Sequence, residues 1–315
     1  MSLWISMSID SGTSLKKVLK AMNKKVLVIG SIAVDHTVFT SVMPVPGMTN
    51  EANSFLRNVG GKGANQACAI KFLGGDVSFF GAIGDDEEGH LATSFLKENN
   101  LDITLKTSKE HTGVSFITIN ETNAENQILI VKGANMDIQE EDILALEDKI
   151  KDSSILLTQL ETNIPSIILS LKLAKKYGLI TIVNPAPYAK LPESVFPYID
   201  YFIPNEHEMD QFVEGNMSYE EKAKIILNKG VKNVIITLGE KGSLLVNNEK
   251  VYKVEPFIVK AIDTTAAGDS YVGALTKYLL DGHSIEESMV FASKCSSITV
   301  TRKGAISSLA RLKDL

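Results

Sequence analysis

The chain has 315 residues, 44% hydrophobic and 22% charged, with a net charge of −6. That balance suits a globular protein with a substantial core and argues against nucleic acid or an anionic membrane as its main partner. Its two cysteines, Cys68 and Cys295, stand far apart and outside any CxxC or Cys/His spacing, which argues against a zinc site and suits a reduced, cytoplasmic protein.

Residues 1–24 lack the apolar core and cleavage site of a signal peptide and are expected to be a disordered extension. The first strand is expected at Val26–Gly30, a continuous apolar run of the kind buried on both faces of a sheet. Thr37 to Asn58, rich in Pro, Met and β-formers, breaks the pattern. The first strong helix follows at Ala64–Leu73, then a strand at Val77–Phe80 and a helix over Leu91–Leu96. The acidic run Asp85–Glu88 reads as a solvated helix start with its charge at the positive end of the dipole. Thr112 to Lys132 departs again, with alternating residues at Val114–Ile119, a turn-like stretch, then Gln127–Val131. These two departures read as antiparallel strands and hairpins able to pair as a small sheet. Beyond them, strands at Ile155–Leu160, Ile180–Val183, Tyr201–Ile203 and Val234–Leu238 alternate with helices at Ile164–Tyr177 and Tyr219–Lys229; helical runs at Tyr271–Leu280 and Ser284–Thr299 close the chain.

Strand–helix alternation at this spacing means an α/β fold. Its central, mostly parallel sheet carries helices on both faces. The expected organisation is one domain, residues 25–315, with β-lid segments near 37–58 and 112–132 covering the site. Ligands in such folds sit at the carboxyl ends of strands. Gly30–Asp35, Gln159–Glu161, Asn184–Pro187, Pro204–Glu208 and Thr237–Gly242 all follow strands there.

Asp263-Thr264-Thr265-Ala266-Ala267-Gly268-Asp269 is the most informative segment. Small residues opening an apolar helix leave backbone N–H groups uncovered, and the helix dipole adds to their attraction for an anion. An aspartate before a helix is ordinarily a cap. Inside a phosphate-binding nest a carboxylate would repel the ligand, unless it takes a proton from the group that attacks phosphorus. Gly60-Gly61-Lys62-Gly63-Ala64-Asn65-Gln66 opens the first strong helix; its glycines allow close backbone approach, and Lys62 and Asn65 supply donors. It is not a Walker A loop, because no Ser or Thr follows the lysine. The histidines, His36 and His207 among them, show no metal-like pairing and read as packing or surface residues.

GGKGANQA, NPAP at Asn184–Pro187, PNE at Pro204–Glu206, TLGEKG at Thr237–Gly242, DTTAAGD at Asp263–Asp269 and TRKGA at Thr301–Ala305 occur in this order. On these motifs the chain resembles the ribokinase branch of the ribokinase/phosphofructokinase-B sugar kinases, over roughly Lys25 to Ser308. The resemblance implies an ATP-dependent kinase that phosphorylates the 5-hydroxyl of D-ribose. The alternatives are a 2-deoxyribose or nucleoside kinase and, from another class, a non-catalytic sugar sensor that would have no need of Asp269. It implies Asp269 as catalytic base and the N–H groups of Ala266, Ala267 and Gly268 as an anion hole for the transferred phosphoryl group. Asp35, Gly61, Lys62, Asn65 and Glu161 match sugar-binding positions. Asn205 and Glu208 match an element that organises Mg²⁺, water and phosphate. Thr237, Gly239 and Gly242 match a nucleotide-binding turn. The carbonyls of Asp263, Thr265, Thr299, Arg302 and Gly304, with the Ser308 hydroxyl, resemble a monovalent-cation cage. Neutral oxygens suit K⁺ better than Mg²⁺. The resemblance further implies ATP, Mg²⁺ and K⁺ as cofactors and a homodimer formed through the β-lid. In two places the chain departs from the pattern: where ribokinases usually carry Asn two residues before the first sugar-binding Asp, this chain has Ala33, and deoxyribokinases also tend to have an apolar residue there; and Ser270-Tyr271 follows the base where Thr-Phe is commoner, a conservative change.

Overall fold

Alternate residues of the first strand enter different cores: Val26 and Val28 pack into one hydrophobic cluster, Leu27 and Ile29 into the other. That is the side-chain period of a strand buried on both faces. The structure is a computed structural model that describes residues 24–123 and 125–315, so the expected extension lies outside it except for Lys24. In chain order the strands are β1 Val26–Ile29, β2 Ala33–Thr40, β3 Ser54–Gly60, β4 Val77–Gly84, β5 Asp102–Ser108, β6 Gly113–Asn120, β7 Asn126–Val131, β8 Ile155–Thr158, β9 Ile180–Val183, β10 Tyr201–Phe202, β11 Asn233–Thr237, β12 Ser243–Asn247 and β13 Val251–Val254. The α-helices are α1 Lys62–Phe72, α2 Glu87–Glu98, α3 Glu140–Ala145, α4 Glu147–Lys151, α5 Ile164–Lys176, α6 Glu206–Phe212, α7 Tyr219–Asn228, α8 Ala267–Asp281 and α9 Ile285–Thr299.

The large sheet runs β13-β12-β11-β10-β9-β8-β1-β4-β5. It is parallel from β5 to β11, and β12 and β13 add an antiparallel edge. Helices α1, α2, α8 and α9 supply the core on one face; α3, α4, α5, α6 and α7 supply the other. The sequence expectation of a mostly parallel sheet covered on both sides is met. The Asp85–Glu88 run is indeed a helix start: the Asp86 side chain caps α2 by accepting from the Gly89 N–H at 2.8 Å.

The second sheet, β3-β2-β6-β7, is built from the two segments that break the alternation. One detail differs from expectation. The outer pairs β2–β3 and β6–β7 are antiparallel, but the central pair β2–β6 is parallel. The reason lies in the connections. β2 continues outward from β1 and β6 from β5, two strands that share a direction in the large sheet, so both leave it the same way. Asp35, expected in a loop after the first strand, therefore lies within β2.

Candidate active site

The strand ends of β1, β8, β9, β10 and β11 open on one side of the sheet, and the expected site residues gather there. Helix α1 starts against the β1–β2 connection. A Cβ on Gly61, whose φ is +90°, would lie 2.8 Å from the Ala33 nitrogen, and one on Gly63 2.5 Å from the Ser31 nitrogen. Only glycine allows this approach. Further along, α1 crosses α8 at equally short range, where a Cβ on Gly273 would stand 2.5 Å from that of Ala69. One turn before each of these residues stand Asn65 and Gln66 on α1 and Asp269 on α8, so the crossing holds the three together.

Asp269 is buried, and both its oxygens are held by amides. Asn65 Nδ2 donates to Oδ2 at 2.8 Å and Gln66 Nε2 to Oδ1 at 2.9 Å. Asn65 Oδ1 is buried without a hydrogen-bond partner. Asp269 lies in the first turn of α8; the cap position is Ala266, in the left-handed conformation at φ +58°. That conformation is uncommon outside glycine. Of the three expected anion-hole donors, the Ala267 N–H turns back to the Thr264 carbonyl at 3.2 Å, whereas those of Ala266 and Gly268 meet no backbone acceptor.

Lys62 shares a helix face with Asn65 and Gln66. Burial works against its charge, but Asp269, Glu161 and Glu208 together hold its ammonium above the ordinary lysine range. Glu161 accepts from the Lys62 backbone N–H at 3.1 Å and from the Ser31 hydroxyl. Asp35 comes from the small sheet and lies over Gly60, where a Cβ would meet its Oδ2 at 2.3 Å. Burial pushes the Asp35 carboxyl above the usual range; a bond from Ser115 opposes this, and Glu161 and Asp269 add to it. Asp35, Lys62, Asn65, Glu161 and Asp269 thus converge, with Gly61 as the backbone that admits them.

Asn205 and Glu208 form a reciprocal capping box at the start of α6: Glu208 N–H donates to Asn205 Oδ1 and Asn205 N–H to Glu208 Oε2, both at 2.8 Å. Burial pushes the Glu208 carboxyl up, against the Asn205 N–H and Lys62. Two cavities meet at the N-terminus of α8. The smaller, about 190 Å³, is lined by Lys62, Asn184, Asn205, Glu208 and the Ala266–Asp269 turn. The larger, about 840 Å³, runs from Thr237 and the Gly239–Gly242 turn to an apolar wall at Pro256–Val259 and to α9. Gly239 and Gly242 have φ of +55° and +87°.

Of the expected cation-cage residues, Asp263, Thr265 and Gly304 are bonded together at the back of this turn. The Asp263 carboxylate accepts from the Thr265 N–H at 2.9 Å and the Gly304 N–H at 2.8 Å, and the Val300 carbonyl accepts from the Ile262 N–H at 2.7 Å. The Thr299 carbonyl accepts from the Arg302 N–H at 3.1 Å, and the Ser308 hydroxyl donates to the Ala305 carbonyl at 2.7 Å.

Several residues of the site went unassigned at the sequence level. Gln66, Asn184 and Gln159 were inside or beside quoted motifs, and the i, i+4 spacing of Lys62 and Gln66 was the signal available. Ser31 and Ser115, which bond Glu161 and Asp35, carry no such signal. Ser293, Ser296 and Ser297 of α9 line the larger cavity, and their i, i+3, i+4 spacing marks one face.

The model of the pfkB family of carbohydrate kinases matches residues 23–311. The chain belongs to that family. It is a phosphotransferase of the ribokinase-like fold. It is 37% identical to a ribokinase of Schizosaccharomyces pombe, over 92% of this chain and 96% of that protein. To a deoxyribokinase of Salmonella typhi it is 34% identical, over 92% of this chain and 96% of that protein. It spans about half (54%) of a 35% identical bifunctional ribokinase/ribose-5-phosphate isomerase A of Fructilactobacillus sanfranciscensis, a match covering 91% of this chain. Among solved structures, Thermotoga maritima ribokinase superposes with a TM-score of 0.85 at 35% identity, covering 92% of this chain and 97% of that one. Arabidopsis thaliana ribokinase complexed with ribose and ATP gives 0.83 at 29% identity, covering 92% and 96%.

Proposed function

We propose that this kinase transfers the γ-phosphoryl group of ATP to the 5-hydroxyl of D-ribose, with Asp269 as the base. The observation that carries this is the buried Asp269 carboxylate, gripped by two amides in the wall of the smaller cavity, next to Gly268, which lines both cavities. One cavity is large enough for a nucleotide; the other opens on Lys62 and the acids beside it. A sugar hydroxyl is a very weak acid, so its proton moves to Asp269 only as the new P–O bond forms. The remaining work is positioning and charge stabilisation, for which the α8 N-terminus supplies N–H donors. A polyol needs several donors and acceptors at once, and Asp35, Glu161, Lys62 and Asn65 offer them. Ribose is favoured over deoxyribose and nucleosides by the ribokinase relatives, and a non-catalytic sensor leaves Asp269 unexplained.

The residues present fit a magnesium–nucleotide complex. Asn205 and Glu208 bring hard oxygen donors to the wall of the smaller cavity, where a buried carboxylate raised in pKa gains from a nearby cation. When bound, Mg²⁺ neutralises charge on the phosphates. Behind the α8 turn, the family resemblance assigns a K⁺ ion to the carbonyls of Asp263, Thr265, Thr299, Arg302 and Gly304 with Ser308, where it would stiffen the anion hole. Equal rates in potassium and tetramethylammonium salts would count against that assignment. Thr237, Gly239 and Gly242 hold the nucleotide. The small sheet is a lid over the sugar, and its exposed apolar faces serve a homodimer. Two buried cysteines, whose thiols burial pushes up to about 12, suit the reducing cytosol.

Asp269→Asn is expected to leave ribose and ATP binding near wild type and to lower kcat by ~10²–10⁴. Near-normal kcat in that variant would remove Asp269 from the role of base.

A further inference from the structure

The catalytic carboxylate is the end of a chain of buried side-chain amides that begins at a backbone carbonyl. Asn184 Nδ2 donates to the Ile203 carbonyl at 2.8 Å. A carbonyl oxygen only accepts, so this bond decides which way round the Asn184 amide sits and turns its Oδ1 toward Gln66. Gln66 Nε2 donates to that Oδ1 at 2.9 Å, and its second hydrogen goes to Asp269 Oδ1, also at 2.9 Å. On the other side, Gln66 Oε1 accepts from Gln159 Nε2 at 2.7 Å. Gln66 and Gln159 are almost fully buried, at 0% and 1% exposure. A reversed Gln66 would set its oxygen against two acceptors, so only one orientation is available.

The chain has a cost. Gln159 Oε1 is buried with no hydrogen-bond partner, and it lies against Gly30, where a Cβ would stand 2.1 Å from it. An unpaired buried acceptor opposes folding. Burial of apolar side chains would have filled the same space without that penalty. Three amides in series are kept, and what they do collectively is present two N–H hydrogens in a fixed direction from Gln66.

From this geometry we infer that Gln66 is a positioning residue for phosphoryl transfer: locked by Asn184 and Gln159, it clamps Asp269 Oδ1 while Asn65 holds Oδ2, so that the carboxylate keeps one orientation toward the attacking hydroxyl. This deepens the sugar-kinase reading and rests on it. Gln66 acts through Asp269, not on the sugar. Its loss should therefore appear in kcat and leave binding alone, and it should matter only while Asp269 is there to be positioned.

The test is a double-mutant cycle on the full chain with ribose and ATP. Gln66→Met keeps the volume and removes the donor. It is expected to lower kcat about 10–100-fold, the value of a hydrogen bond to a charged group, with both KM values within about threefold. In an Asp269→Asn background the same change is expected to cost less than about twofold in kcat. Gln66→Leu likewise removes the donors without placing a second acid beside Asp269, and should show the same split between kcat and KM. Unchanged kcat in Gln66→Met, or an equal loss in the Asp269→Asn background, would overturn the inference. If neither variant folds, the wild type decides: the Gln66 side-chain ¹⁵N–¹H resonances should differ from those in Asp269→Asn, and identical resonances would overturn it. Failure of the wild type itself to phosphorylate any sugar would instead remove the underlying reading.

Discussion

Ala33 stands two residues before Asp35 on the same face of β2, both largely withdrawn from solvent. A site that hydrogen-bonds a hydroxyl rejects the analogue lacking it by ~10⁴–10⁵, because its own polar group is left unpaired. Ala33 has no such group. 2-Deoxyribose is therefore expected to be a poorer substrate than ribose by no more than about 100-fold in kcat/KM, a gap of ~2.7 kcal/mol. Ala33→Asn should widen the gap, and a wild type that rejects deoxyribose by four orders of magnitude would show that another group reads that position. Asp35 gives a pH signature. Burial raises its pKa, so the folded protein holds a proton there that the unfolded chain has already released. The stability this contributes is present at low pH and is lost as pH rises through the raised value. The proposed contact with ribose needs the ionised form as an acceptor. The KM for ribose should climb on acidification from a pH above the usual carboxylate range, and Asp35→Asn should flatten that climb. A flat wild-type profile would contradict the contact. At this scale the motif chemistry pointed to Asp269 and Lys62 and the family resemblance to Asp35, and the structure brings the three side chains together. The site was not legible at Gln66, Gln159 and Asn184, whose roles depend on which way each amide faces, a property of three-dimensional contact.

The elements matter here as devices for close approach. Helices α1 and α8 touch where Gly273 meets Ala69, and Asn65, Gln66 and Asp269 sit one turn away. Gly273→Ala would place a Cβ 2.5 Å from the Ala69 Cβ and 3.0 Å from the Gln66 carbonyl oxygen. The helices must separate, at about 1–3 kcal/mol in unfolding experiments, and the amides must withdraw from Asp269. A fall in kcat without a matching rise in KM is expected, with partial recovery in Gly273→Ala/Ala69→Gly. Unchanged stability and turnover in Gly273→Ala would mean the crossing has slack. Strands buried on both faces announced themselves as apolar runs, and β1, β8, β9, β10 and β11 were all readable. The half-exposed strand β5, sequence DITLKTS, shows no such run and was missed; β12 and β13 at the sheet edge were missed as well. The β2–β6 pairing could not be oriented from the chain alone, because its direction is inherited from β1 and β5.

The molecule as a whole is a large sheet carrying the site at its strand ends, with a small sheet raised over it. Among the described residues no helix is long and apolar enough to cross a membrane. Phe55, Phe116 and Leu129 are more than half exposed on the small sheet, and His36 packs between the two phenylalanines. Apolar side chains gathered on one sheet mark an interface. A homodimer at micromolar concentration is expected by sedimentation velocity, with Phe116→Glu shifting it to monomer; a monomeric wild type would leave these side chains without a partner. The central claim concerns what is transferred, and to what. It is tested most directly by incubating the wild-type protein with ribose, Mg²⁺, K⁺ and ATP, following ADP release, and identifying the product by ³¹P NMR. The expected result is ribose-dependent ADP release with one phosphate ester, on the 5-oxygen. ADP release indifferent to added ribose, or an ester on another oxygen, would contradict it.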